Sequence, residues 1–433
     1  MQNKMMILSI DALQTADIAF LSTLPNFSGV LKKAAIIKNI QEVYPTLTNV
    51  NHASIITGVT ADRHGIYHNM LPFVPTKTVN WNTIGQNWFW KHESIKVPTL
   101  IDAAKEKGLV TASVTWPCLG GQVPDYNLAE MWPQTESTIR KTYEISCTQN
   151  VMNQYFDRYI APFNFRESMD IDFFSVPIAA DIIKNVRPDL LLEHIIWLDH
   201  CRHKLGNHHP RIEEALIRID ALFGVLLNAF REAGTLETTN FFIMGDHGQM
   251  DIEEVFHLNI ALKNYGLVQV DGEGNVLDYE AYSFSAGFSA QIILKNPDDP
   301  VLTAKVYDIL QRIKENYPAY LERIYTAREA QIEEGLSGSF SFVVEASEGV
   351  CFENLFDGPI SISTENPSYR GYHSNHGYHP SKGPKPALIA FGPDILEEVI
   401  IDGASVLDEC PTLAKILGVN LPDMMGKPLD IIK

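Results

Sequence analysis

Five short apolar runs, at residues 5–10, 109–116, 190–198, 240–244 and 386–391, are continuous rather than alternating and often β-branched. Runs of this kind suit strands buried on both faces, as in a parallel sheet. Stretches with helical spacing stand between them, at 97–107 and at 212–233. In the second, Leu216, Ile219, Leu222, Phe223 and Leu226 recur on one helical face. This alternation predicts an α/β fold, an open and mostly parallel sheet with helices on both faces. Ligands in such sheets collect beyond the carboxyl ends of the strands. Asp11, Asp199 and Asp246 each fall just past one of the runs, so their position marks them independently of their chemistry.

The rhythm breaks twice. Residues 120–180 are rich in aromatic and polar side chains with a weak helical pattern, and they read as a helical insertion or cap. Residues 255–370 hold strand-like stretches at 288–294 and 340–345 and a helix-like stretch at 301–316, which reads as an inserted α+β subdomain. Residues 1–254 and 371–433 then form the core domain.

The chain has 433 residues and a net charge of −19, from 53 acidic and 34 basic residues. Such a surface repels polyanions, which argues against long nucleic acid as a partner. A small phosphate ester is compatible, because bound metal ions reverse the local field. No window approaches the ~20 apolar residues of a membrane span. Cys118, Cys147, Cys201, Cys351 and Cys410 are odd in number and show no CxxC spacing. The first residues lack a signal-peptide pattern, and together these features lead us to expect a reducing, cytoplasmic compartment. The oligomeric state is left open.

Four segments far apart in the chain carry side chains that hold divalent ions. Asp11 ends the first run. Asp199 and His203 are four apart, which puts both on one face of a helical turn. Asp246 and His247 lie between Gly245 and Gly248, glycines that permit a tight turn. His376 is the fourth, though His373 and His379 lie close by and side-chain chemistry alone does not separate the three. His200, His208 and His209 crowd the Asp199 stretch and read as solvated or outlying residues. Thr48 precedes 51–58, a short helical pattern ending in glycine. The ordinary reading is a helix cap, but the same place favours phosphate and alkoxide. Asn69 reads as a turn residue, or as a neutral donor to a phosphoryl oxygen. Carboxylates mixed with imidazoles suit zinc, and two such sets ~4 Å apart are a device for splitting phosphate esters.

Taken together, Tyr44-Pro45-Thr46-Leu47-Thr48-Asn49-Val50-Asn51-His52, Thr57-Gly58, His64-Gly65-Ile66, Val114-Thr115-Trp116-Pro117, Asp246-His247-Gly248 and Cys410-Pro411-Thr412 resemble the alkaline phosphatase superfamily. The nearest group within it is the nucleotide pyrophosphatase/phosphodiesterase family. The resemblance spans nearly the whole chain. It implies an alkaline-phosphatase-like core and hydrolysis of phosphate diesters or nucleotide-type phosphoanhydrides. It also implies two divalent ions, zinc first, with manganese or iron accepted by the same donors. Asp11, Thr48, Asp246 and His247 would hold one ion; Asp199, His203 and His376 would hold the other. Thr48 would be the nucleophile of a phosphothreonine intermediate, and Asn69 with the Asn49 backbone amide would hold the non-bridging oxygens. Several positions depart from the pattern: the Asn49-Val50 pair replaces a Phe-Pro-like one, and Gly245 stands in place of serine. Asn49 stands where the family carries an aromatic residue able to stack a nucleobase, and Gln249 stands where methionine is usual.

Two other readings use the same residues. A phosphonate (phosphonoacetate-like) or phosphomonoester hydrolase would add cationic residues, for which Arg63, Arg202 and Lys204 are the candidates. A metal-binding protein without turnover would keep the ligands alone.

Overall fold

The computed structural model describes residues 3–73, 88–132, 139–159 and 171–433. Parts of the 120–180 stretch, residues 133–138 and 160–170, therefore lie outside the described residues. The centre is an eight-stranded sheet. Its first strands in the chain are β1 (Lys4–Ile10), β2 (Ala35–Gln41), β3 (Thr111–Val114), β4 (Tyr126–Leu128), β5 (Leu190–Ile195) and β6 (Thr239–Met244). Across the sheet the order is Ile400–Ser405, β2, Leu388–Phe391, β6, β1, β5, β3 and β4.

Continuity of the apolar runs follows from burial on both sides. Along β1, Met5 and Ile7 pack one way, with Val50, Ile101 and Leu413 from helices Thr48–Thr57, Leu100–Glu106 and Glu409–Leu417. Met6, Leu8 and Ile10 pack the other way, with Ile178, Ile182, Leu216 and Phe223 from helices Ile171–Asn185 and Arg211–Ala233. Each such side chain, fully buried, contributes ~1.5–3 kcal/mol. Helix Leu100–Glu106 starts where Thr99 and Asp102 cap each other reciprocally.

The structure corrects one strand direction. Residues 386–391 read as a parallel strand, but Leu388–Phe391 runs antiparallel to both β2 and β6. The chain enters it from the loop at His376, beyond the carboxyl ends of the other strands, so it runs back through the sheet. The remaining pairs in the sheet are parallel. Three strands gave no sequence signal. β2 alternates buried and accessible positions, β4 has three residues, and Ile400–Ser405 is a largely accessible edge.

Residues beyond β6 build a second, antiparallel sheet in the order Ala281–Ser285, Ser289–Leu294, Phe342–Ala346, Leu321–Thr326. Helix Pro300–Asn316 packs on it through Val306, Leu310 and Ile313. The expected boundary at 254/255 falls inside strand Glu254–Phe256, which pairs with Val350–Phe352 and Ser361–Ser363. Within 120–180, β4 joins the main sheet and helix Ile171–Asn185 packs against it.

Candidate active site

The loops at the carboxyl ends of β1 and β6 meet the first turn of helix Thr48–Thr57. Asp11 directly follows β1, and its N–H donates to Ile195 O at the end of β5 (2.8 Å). Leu47, not Thr48, is the residue that caps the helix, and Thr48 is its first residue. The capping reading of Thr48 therefore fails, and its hydroxyl is left for other work. Its Oγ1 lies 3.1 Å from His247 Nε2. The same nitrogen lies 3.3 Å from Asp11 Oδ1 and 3.3 Å from Asp246 Oδ2. Four potential ligand atoms from three segments thus converge, all on buried residues.

Gly245 and Gly248 shape this turn for a reason other than the expected one. Neither adopts positive φ. A Cβ on Gly245 would stand 2.1 Å from Leu13 O, and one on Gly248 2.0 Å from Pro384 O. Close backbone approach, not left-handed conformation, demands glycine here.

A second group lies alongside. Asp199 is in the first turn of helix Trp197–Leu205, four residues past β5 rather than directly after the strand. His203 is one turn on, with Nε2 3.2 Å from Asp199 Oδ2. Its Nδ1 donates to Ser374 O (2.8 Å), which leaves Nε2 with the lone pair. His376 Nε2 is 3.9 Å from Asp199 Oδ1. His376 is thus the histidine of its loop that reaches the site, whereas His379 pairs with Glu334 and His373 bonds through its backbone to His203 O. His200 stacks on Trp197, and His208 is exposed.

The electrostatics suit cations. Burial, then the Asp199 and Asp246 carboxylates, push Asp11 well above the usual carboxylate range. Burial also opposes charge on Asp199, but His203, followed by His376 and His247, holds it well below that range. Burial and His247 hold His376 far below an ordinary histidine, which keeps the ring neutral and able to ligate. Asp11 Oδ1, Asp246 Oδ2 and His376 Nδ1 are buried without a hydrogen-bond partner among the described residues. Orphaned acceptors of this kind, in a mixed oxygen and nitrogen donor set, fit two divalent ions.

His52, His194 and Asp246 form a further cluster, but it does not suit a third ion. His52 Nδ1 lies 2.8 Å from Thr48 O, so it carries hydrogen. It also approaches Asp246 Oδ2 at 3.4 Å, while His194 Nε2 approaches Asp11 Oδ2 at 3.3 Å. These rings pack behind the two carboxylates, and His52 is itself held by Thr48 O and Ser9 Oγ. The sequence reading passed over both, although Glu193-His194 is an ionisable pair inside an apolar run, a signal in itself. It also passed over Glu42, a buried carboxyl that accepts from Gly248 N (3.2 Å) and Lys385 Nζ (3.3 Å). Burial, opposed by Lys385, pushes that carboxyl up to about 7.

The oxygen-holding pair differs from expectation. Asn49 N–H donates to Asn69 Oδ1 (2.9 Å), so the two groups expected to face a ligand face each other. The Asn49 side chain is buried and donates to Phe89 O (2.9 Å). Of the cations considered for a substrate carboxylate, Arg202 is held by Asp17 (2.6 and 2.7 Å), and Arg63 donates to Asp423 O (3.5 Å).

A family model described as type I phosphodiesterase/nucleotide pyrophosphatase matches residues 5–378. The bis(5'-adenosyl)-triphosphatase ENPP4 of Homo sapiens is 23% identical over 261 residues, covering 59% of this chain and 50% of its own. Ectonucleotide pyrophosphatase/phosphodiesterase family member 1 of Homo sapiens is 26% identical over 242 residues, covering 54% of this chain and 22% of its own. The chain thus spans about half the length, or less, of these relatives. The structure of murine ectonucleotide pyrophosphatase/phosphodiesterase 5 superimposes with a TM-score of 0.69 at 17% identity, covering 99% of this chain and 100% of that one. An inactive variant of the same murine protein has been solved in complex with AMP.

Proposed function

Because the chain belongs to the type I phosphodiesterase/nucleotide pyrophosphatase family, we propose that it hydrolyses phosphate diesters or nucleotide-type phosphoanhydrides through a phosphothreonine formed on Thr48. One observation carries this reading. A buried threonine hydroxyl that does not cap its helix converges with Asp11, Asp246 and His247, beside the adjoining group Asp199, His203 and His376. Two divalent ions, zinc in our reading, would be held by these two groups and would supply a lowered threonine pKa and charge neutralisation at phosphorus.

The chain's own residues do the rest. Thr48 Oγ1, giving up its proton, bonds to phosphorus as the bond to the leaving oxygen breaks and that oxygen departs to be protonated; water then cleaves the phosphothreonine, restoring the hydroxyl and releasing the phosphate product. The helix beginning at Thr48 turns its positive end toward the phosphoryl group. Asn69 Oδ1 accepts from Asn49 N–H (2.9 Å), so the two groups stand together beside Thr48, where in our reading they hold the non-bridging oxygens. The substrate is small, because net charge −19 opposes long nucleic acid. No helix among the described residues is long and apolar enough to cross a membrane. All five cysteines are free and buried, which supports our placing the protein in the cytoplasm.

The test is steady-state hydrolysis by zinc-loaded protein of p-nitrophenyl phosphate, bis-p-nitrophenyl phosphate and p-nitrophenyl thymidine monophosphate. We expect higher kcat/KM for the diesters, with Thr48→Ala reducing turnover at least ~10³-fold without change in fold. Preference for the monoester would move the protein to phosphatase or phosphonate chemistry. Full activity in Thr48→Ala would remove the threonine nucleophile.

A further inference from the structure

Four aromatic rings run in a row from the surface to the buried nucleophile. Tyr372 stacks on His203 with centroids 4.5 Å apart and planes 28° apart. His203 lies 5.1 Å from His376, and His376 lies 4.1 Å from His247, whose Nε2 faces Thr48 Oγ1. Only the outermost ring is open to solvent: Tyr372 is 50% exposed, whereas His203 and His376 are buried. One face of Tyr372 is covered by His203, and half of the residue's surface is open to solvent.

The Tyr372 backbone is held before any ligand arrives. Tyr369 Oη donates to Tyr372 O (2.6 Å), and the next residue, His373, donates its N–H to His203 O (2.7 Å) and accepts from Ile252 N (2.9 Å). A backbone fixed in this way, with the ring already stacked on His203, leaves little freedom to lose when something stacks on that ring. Its hydroxyl is pushed up by burial and by the Asp199 and Glu353 carboxylates, so Tyr372 lies within the field of the Asp199 group.

In-line displacement places nucleophile and leaving oxygen on opposite sides of phosphorus. With Thr48 at the His247 end of the row, a phosphorus lying along the row would send its leaving group toward the His203 end. Resting on the hydrolase reading above, we infer that Tyr372 is the wall of the leaving-group side and stacks against a flat aromatic group carried by the leaving oxygen. Tyr372 would thereby set specificity for aromatic over aliphatic leaving groups.

The experiment compares two diesters that share a methyl phosphoryl group, methyl phenyl phosphate and a methyl fluoroalkyl phosphate whose leaving alcohol matches phenol in acidity. Zinc-loaded wild type, Tyr372→Ala and Tyr372→Phe are assayed for kcat/KM on both, and their zinc content is measured. We expect the aryl-to-alkyl ratio of kcat/KM to fall about five- to tenfold in Tyr372→Ala, chiefly through KM, and to be retained in Tyr372→Phe, with equal zinc in all three. An unchanged ratio in Tyr372→Ala overturns the wall. So does loss of zinc in parallel with both activities, which would mean that the ring only supports His203. An equal fall of the ratio in Tyr372→Phe would assign the effect to the hydroxyl and reject stacking. If wild type turns over neither diester, the hydrolase reading falls and this inference with it; if it turns over both, only the wall is at stake.

Discussion

At the scale of single residues, the departures from the family pattern are informative once placed in space. Gln249, where methionine is usual, donates its amide to the Asp199 carboxylate and accepts from Ser374 Oγ. It therefore ties the Asp199 helix to the His376 loop, a task methionine cannot do. Restoring the family residue should loosen the second metal group specifically. Gln249→Met is expected to weaken retention of one of two zinc ions about tenfold or more, measured by competition with a chromogenic chelator, with little change in folding. Retention equal to wild type would leave Gln249 as packing alone. Asn49, the other departure, is buried and bonded to backbone, so it cannot serve as an exposed platform for a base.

At the scale of elements, β5 carries the chemistry of both faces of the sheet. His194 faces Asp11. Glu193 points the opposite way, as strand alternation requires, toward Asp172 on helix Ile171–Asn185. Both Glu193 oxygens are buried without a hydrogen-bond partner among the described residues, and burial, then Asp172, push the carboxyl well above its ordinary 4.5. The folded state thus holds this proton more tightly than the unfolded chain. The stability it contributes is fully present below pH 4.5 and is lost as pH rises from there toward the folded pKa. The loss is at most ~1.4 kcal/mol per pH unit. Glu193→Gln, which keeps shape but cannot ionise, is expected to raise Tm more at pH 8 than at pH 5.5. An equal shift at both values would show that Glu193 meets no such penalty. The second sheet has its own apolar core around Phe256, Leu310, Phe342 and Val344. We propose 255–370 as an inserted subdomain on a core of 1–254 and 371–433, with the junction moved to the start of strand Glu254–Phe256.

At the scale of the whole molecule, folding draws Asp11, Asp199 and Asp246 together in a protein already at −19. Divalent ions that bind only the folded form should therefore stabilise it strongly. Chelation is expected to lower Tm by several degrees and abolish turnover, with zinc restoring both; an unchanged Tm would argue that the two groups hold no structural cation. Much of this was legible in the chain. Short, β-branched apolar runs separated by helical stretches specify a sheet covered on both faces, because a strand buried on one face alone would alternate. Asp11, Thr48, Asp199, His203, Asp246, His247 and His376 stood out by chemistry, position or likeness of motif. Tertiary structure decided the rest. The direction of Leu388–Phe391 depends on the chain returning from the His376 loop, and that the His376 ring, singled out in sequence only by likeness of motif, approaches Asp199 is a matter of folded distance. The roles of His52, His194, Gln249 and Tyr372 exist only as contacts between segments far apart in sequence. Local pattern records how a segment buries its own side chains, whereas a site built at the ends of separate strands is made of distances that only the folded chain defines.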